Sequence, residues 1–139
     1  MFEGTSFGRQ IDILHRTMDT SMLRQNVIAN NIANANTPNF KRSEVNFESR
    51  LAYALKSSSR EPRFQERRTH ERHISFHRPL DYRDVRPRRV LDFMTTAKNN
   101  GNNVDIEVES MDLLNNQLAY QMMTRSVADS FTRINLVLR

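Results

Sequence analysis

Apolar residues recur in heptad register from about Gln10 to Ala35, with Ile11, Met18 and Ile32 at one core position and Leu14, Ile28 and Ala35 at the other. Ser21 and Gln25 interrupt the register. Flanked by Met22 and Ala29, these positions predict an amphipathic helix with a narrow, imperfect seam. At 1.5 Å per residue it would run roughly 39 Å, more face than a small core covers, so its expected partner is another long helix. The pattern then stops within a few residues, at Asn34, Asn36, Thr37 and Pro38. Proline has no amide proton for a helix interior and pushes the residue before it into extended backbone, so the helix is over by Asn36. Pro38 and Asn39 suit the two central positions of a turn, asparagine being the commonest non-glycine residue in left-handed backbone.

After the turn, Phe47, Leu51 and Leu55 stand at helical spacing between Ser43 and Ser59, with Asn46 available as N-cap and Ser57 to Ser59 as the stop. A short apolar patch follows much later at Val90, Leu91, Phe93 and Met94, and then a polar loop from Thr95 to Asn103. Val104 to Glu109 alternates apolar and acidic residues; acids favour the positive end of a helix dipole, so a helix start is expected here. In the last thirty or so residues Met111, Leu114, Leu118, Met122 and Leu136 fall on one stripe. Leu113, Tyr120, Val127, Phe131 and Leu138 fall on another about 160° away, with Ile134 close by. Both sides of this helix call for burial, and one partner helix covers only one of them.

The expected fold is mainly α: two long terminal helices pairing as a coiled-coil-like hairpin, one short helix after the first, and an irregular arginine-rich central loop. Within a single domain the segments are an N-terminal helix over 10–36, a turn and short helix over 37–59, a basic irregular segment over 60–103 and a C-terminal helix over 104–139. At 139 residues, 37% hydrophobic and a mean hydropathy of −0.70, the core cannot be large, and something beyond the single chain is expected to complete the burial.

Charge sharpens this picture. Arg60 to Arg89 holds 10 arginines, no lysine and 5 acids, so it alone carries the net +5 of the chain. It also contains Pro62, Pro79 and Pro87, lacks glycine, and has scattered Phe64, Ile74, Phe76 and Tyr82, which predicts an extended loop in the isolated protein. Clustered arginine with aromatics is also what a nucleic-acid or anionic-surface binder uses. Against that stand the interleaved Glu61, Glu66, Glu71, Asp81 and Asp84 and the lack of any recognisable nucleic-acid motif. His70, His73 and His77 would share one helical face, yet Arg67, Arg68, Arg72 and Arg78 repel a cation and the spacing fits none of the usual zinc patterns, so no metal or other cofactor is expected.

Catalysis finds no constellation either: there is no cysteine, no phosphate-binding glycine loop, and no obvious nucleophile pairs with His15, so neither an enzyme nor a small-molecule substrate is expected. The N-terminus lacks a basic start followed by a long apolar run, and no stretch is long enough to span a bilayer. On composition alone this reads as a cytosolic protein.

The literal string at the helix stop adds a different kind of information. Ala33, Asn34, Asn36, Thr37, Pro38, Phe40 and Lys41, with Asn30 and Asn31 upstream, resemble the N-terminal signature of the rod, hook and hook-associated proteins of the bacterial flagellum. That signature usually has glycine where this chain has Asn39. At the other end Asn102, Asn103, Val104, Asp105, Ile106 and Glu107, followed by Leu118, Tyr120 and Gln121, are similar to the C-terminal signature of basal-body rod proteins, and Arg42, Phe47 and Leu51 agree with it. The chain is too short for the large domains of distal-rod or hook proteins, which points to the proximal rod.

The resemblance implies a subunit exported through the flagellar type III apparatus without a cleaved signal, then stacked helically in the periplasmic part of the basal body to transmit torque. It implies as partners other copies of the chain, FlgC-like and FlgF-like rod proteins, a FliE-like adaptor and the membrane ring, with no role for nucleic acid. The expected assembly interface comprises Ile11, Leu14, Met18, Ile28, Ile32, Leu114, Leu118, Tyr120, Met122, Val127, Phe131 and Ile134.

Overall fold

The computed structural model describes residues 5–59, 67, 69–74, 80–95 and 98–138. In chain order its elements are α1 (Ser6–Ala33), β1 (Ser43–Asn46), α2 (Glu48–Ser59), a 3-10 turn (Tyr82–Asp84), β2 (Arg88–Leu91) and α3 (Ile106–Val137). The chain is mainly helical, with one two-stranded sheet of β1 and β2.

Helix α1 starts earlier than the heptad pattern because Thr5 caps it: the Thr5 hydroxyl accepts the Gly8 amide at 3.1 Å and satisfies one of the free donors of the first turn. It ends at Ala33, where the Asn34 amide bonds back to the carbonyls of Asn30 and Asn31, both at 3.2 Å. Phe40 then donates to the Thr37 carbonyl at 3.4 Å across Pro38 and Asn39, and Asn39 has φ 59°. That is the turn expected of this pair, with left-handed backbone at its second central residue.

Two stretches differ from expectation. Ser43 to Asn46, expected only to lead up to the helix, is a strand, and α2 runs from Glu48 to Ser59. The Asn31 side chain explains this, since its Oδ1 accepts the Ser43 amide at 3.1 Å and its Nδ2 donates to the Ser43 carbonyl at 2.9 Å. One amide side chain thus supplies both bonds that a neighbouring strand would. Asn46 does not bond a backbone amide of α2; its Oδ1 accepts from the Ser49 hydroxyl at 2.7 Å. The basic segment expected to be irregular contains the 3-10 turn and β2, so the apolar patch at Val90 and Leu91 is part of a strand. Pro62, Phe64, Phe76, His77 and Pro79 of that segment lie outside the described residues.

The chain divides into two compact units, one of residues 1–45 with 89–139 and one of residues 46–88. In the second, Phe47, Leu51, Ala54, Tyr82 and Val85 are buried, and the Ser57 hydroxyl accepts the Leu80 amide at 3.1 Å. In the first, α1 and α3 pack antiparallel: Phe7 meets Phe131 edge to face at 6.1 Å, Ser21 meets Asn116, and Asn31 meets Glu109. Asp105 caps α3, its carboxylate accepting the Glu107 amide at 3.0 Å, so the helix expected from residue 104 begins at Ile106. Among the described residues no helix is long and apolar enough to cross a membrane.

Candidate functional site

The string from Asn30 to Arg42 and the string from Lys98 to Asp112 meet in space, although more than fifty residues separate them in the chain. Asn102 is fully buried, and its Nδ2 donates to the carbonyls of Asn34, Ala35 and Thr37 at 3.0, 3.1 and 2.8 Å. These carbonyls lie where α1 has run out of helical partners, so one side chain from far along the chain caps its C-terminus. Lys98 adds a bond from Nζ to the Ala35 carbonyl at 2.8 Å, and Lys41 returns one to the Gly101 carbonyl at 2.9 Å. The Asn39 amide donates to the Asn100 carbonyl at 3.1 Å. Gly101 itself has φ 78°, and a Cβ there would stand 2.6 Å from Asn39 Oδ1, so this contact of two turns requires glycine.

A second polar cluster lies one step further. Asn103 accepts the Arg42 amide at 2.6 Å and donates to the Asp92 carbonyl at 2.8 Å. The Arg42 guanidinium pairs with Glu109 through Nε, with Glu44 through Nη1, and with Asp112 through Nη2 at 3.2 Å. Glu109 is fully buried, and its other oxygen accepts from Asn31 Nδ2 at 3.1 Å. Burial by itself lowers the Arg42 pKa, but the hydrogen bond and charge of Glu109, then the charges of Glu44 and Asp112, outweigh it and leave the pKa raised. Arginine suits this place because its planar fork addresses several carboxylates at once. Farther along the pair, Asn116 Oδ1 accepts the Ser21 hydroxyl at 2.8 Å and its Nδ2 donates to the Ser21 carbonyl at 2.9 Å. The serine that breaks the heptad register is therefore answered by an asparagine on the facing helix.

The apolar residues are arranged the other way. The buried residues of α3 are Glu109 and Asn116, both polar. Val108, Met111, Leu114, Leu118 and Met122 are exposed, forming a continuous stripe, and Leu136, Val137 and Leu138 are exposed at the end of the helix. Of the expected assembly residues, Ile28 is buried; Ile11, Leu14, Met18, Ile32, Tyr120, Val127 and Ile134 are half-buried; Leu114, Leu118, Met122 and Phe131 are exposed. In the turn motif Ala33, Asn36, Thr37, Pro38 and Asn39 are exposed, while Asn34, Phe40 and Lys41 are half-buried. The expected list omitted Asn31, Arg42, Asn102, Asn103, Glu109 and Asn116. A carboxylate and an asparagine recurring on the inward face of an otherwise apolar helix were the available signal. His70 and His73 have ring centroids 6.1 Å apart, and among the described residues no group of three or more His, Cys, Asp or Glu could hold a metal ion.

A helix pair closed by two interlocking end motifs, with a greasy stripe turned to solvent, has the makings of an assembling subunit. Residues 11–41 match the family model described as "Flagella basal body rod protein". The chain is 45% identical over 133 residues to the flagellar basal body rod protein FlgB of Borreliella burgdorferi, covering 96% of this chain and 98% of the relative. It is 41% identical to FlgB of Borrelia hermsii, with the same coverage, and 31% identical to FlgB of Bacillus subtilis over 99% of this chain and 95% of the relative. The chain belongs to the FlgB family of flagellar basal body rod proteins. Its role is that of a structural subunit of the rod, in the flagellar basal body, assembled with other rod components; this is favoured over the arginine-rich anionic-surface reading and replaces the cytosolic one.

Proposed function

We propose that the chain assembles helically through the outward faces of its terminal helices, in contact with further copies of itself and with FlgC-like and FlgF-like rod proteins. A FliE-like adaptor and the membrane ring lie at its base, and the stack transmits torque from that ring. The observation that carries this reading is the exposed stripe from Val108 to Met122 on a helix whose inward face is already occupied by α1. Water-exposed leucine and methionine in a row are unfavourable by about 25 cal/mol per Å2 of apolar surface, and a neighbouring subunit removes that cost. The contacts are heterologous, because a stripe on one side of a helix need not meet itself, and heterologous contacts propagate along a filament. Leu114, Leu118 and Met122 are assigned to this contact, together with Met22 and Leu23 on α1. Phe131 is exposed yet also meets Phe7, so it serves both the helix pair and a neighbour. The half-buried Ile11, Leu14, Met18 and Ile32 of α1 and Tyr120, Val127 and Ile134 of α3, with buried Ile28, act first within the chain.

The chain reaches the periplasm by export through the flagellar type III apparatus. The test is Leu118→Asp in a strain lacking the native gene. Secretion of the subunit at the normal level with loss of rods is the expected result. Normal rods carrying Leu118→Asp would remove the stripe from the interface.

A further inference from the structure

The β1–β2 ribbon is covered on one side only in part. Ser43 and Val45 of β1 are buried, whereas every residue of β2 is exposed, and past it Phe93 and Met94 are 69% and 96% exposed. A two-stranded ribbon is marginal by itself in water, and a bare strand edge beside an apolar patch invites pairing with another surface. On β2 the charge has one sign: from Val85 to Leu91 there are three arginines and no acid, while Glu44 of β1 is paired with Arg42 and Asp92, the next residue, accepts from the Thr95 hydroxyl at 2.6 Å.

The first turns of α3 carry the opposite combination. Ile106, Val108, Met111 and Leu114 are exposed, and from Val104 to Thr124 the sequence contains acids and no lysine or arginine. Neither Arg89 nor Glu107 has an ion pair among the described residues. One surface is apolar and basic, the other apolar and acidic, and both belong to the same chain.

We infer that the β2 ribbon of one copy docks on the first turns of α3 in a second copy, with Phe93 and Met94 on Met111 and Leu114 and Arg89 facing Glu107. The inference rests on the reading of the chain as a self-assembling rod subunit and names the second surface of that contact. Apolar burial holds the two surfaces together, while the opposed charges set which of several greasy faces meets which.

Photo-crosslinking in assembled basal bodies tests it, with Phe93→p-benzoylphenylalanine as the probe. The expected product has twice the mass of the chain and joins position 93 to the peptide around Met111. A product with a different rod protein, or none in rods that contain the variant, would overturn self-docking. Charge exchange gives an independent reading: Arg89→Glu should lower incorporation into rods by roughly two- to fivefold, and adding Glu107→Arg should restore it. Both residues are exposed, so unchanged circular dichroism of the purified variants verifies that folding is intact. Rods abolished by Leu118→Asp but indifferent to Arg89→Glu, with no adduct at position 93, would sink the ribbon contact and leave the outward stripe standing. A subunit absent from rods altogether would sink both.

Discussion

The two ends of the α1–α3 pair are held in different ways. Where α1 ends and α3 begins, Asn31, Arg42, Asn102, Asn103 and Glu109 join the chain to itself through bonds that are mostly out of water. Where α1 begins and α3 ends, the pair of rings Phe7 and Phe131 bridges the helices, and Leu136 to Leu138 stand in solvent. Hydrophobic contact is tolerant of sliding, since greasy surfaces a turn apart fit almost as well. A buried amide or ion pair tolerates no such slip, because misplacement strands a polar group out of water. The polar end therefore fixes the register of the two helices, and the apolar surface left outside is available to neighbours. On α3 this departs from the usual division, since its buried residues are the polar Glu109 and Asn116 while Leu114, Leu118 and Met122 face out.

Breaking the polar end should cost the most. Glu109→Ala strips Arg42 of its buried partner and leaves Asn31 Nδ2 one acceptor short; a loss of about 3 kcal/mol is expected, read as a lower denaturation midpoint of the purified subunit. Asn102→Ala removes one donor from each of the carbonyls of Asn34, Ala35 and Thr37, which keep bonds from the Thr37 amide, Lys98 Nζ and the Phe40 amide; about 1 kcal/mol is expected, with faster hydrogen exchange localised at residues 34–37. The same exchange experiment on the unmodified chain should show slower exchange around Asn31 and Glu109 than over the last turns of α3. By contrast Leu118→Asp, on the outward stripe, should change subunit stability by less than about 0.5 kcal/mol while abolishing rods. Equal damage to folding from the outward and inward variants would erase the distinction between the two regions.

The smallest effect concerns acidity. The Thr95 hydroxyl first, and then the Met94 amide, hold the Asp92 carboxyl below the usual carboxylate range. A carboxylate with a depressed pKa stabilises the fold above its unfolded value and loses that contribution as pH falls through its folded value. The turn after β2 should accordingly loosen only in acid, below about pH 4, and Asp92→Asn should remove that step. Amide chemical shifts of Met94 and Thr95 across the titration would register it.

Much of this architecture was legible in the pattern of side chains. The end of α1 ahead of Pro38, the turn at Asn39 and the start of α3 between Val104 and Glu109 each depend on neighbours in sequence, although α1 ends at Ala33 and α3 begins at Ile106, each a few residues inside its expected span. The two stripes of α3 were equally plain, because periodicity alone places residues on a helix face. Less legible was Ser43 to Asn46, whose extended backbone depends on Asn31, a residue in the preceding helix that presents both an acceptor and a donor to Ser43. Asn46 had the chemistry of a cap but bonds a hydroxyl instead.

What the sequence determined by itself was the three helices, the turn after the first, and the surplus of apolar face that a single chain leaves uncovered. Those follow from backbone sterics, capping and a repeat of 3.6 residues, all short-range. Only the tertiary structure decided which residues close the chain upon itself. Spacing marks Leu118 and Met122 as greasy and Glu109 as charged, yet it does not say that the carboxylate goes inside and the leucine out. That choice depends on Arg42 and Asn31 arriving at the same point from the far side of the chain, where their bonds compensate Glu109 for the water it gives up.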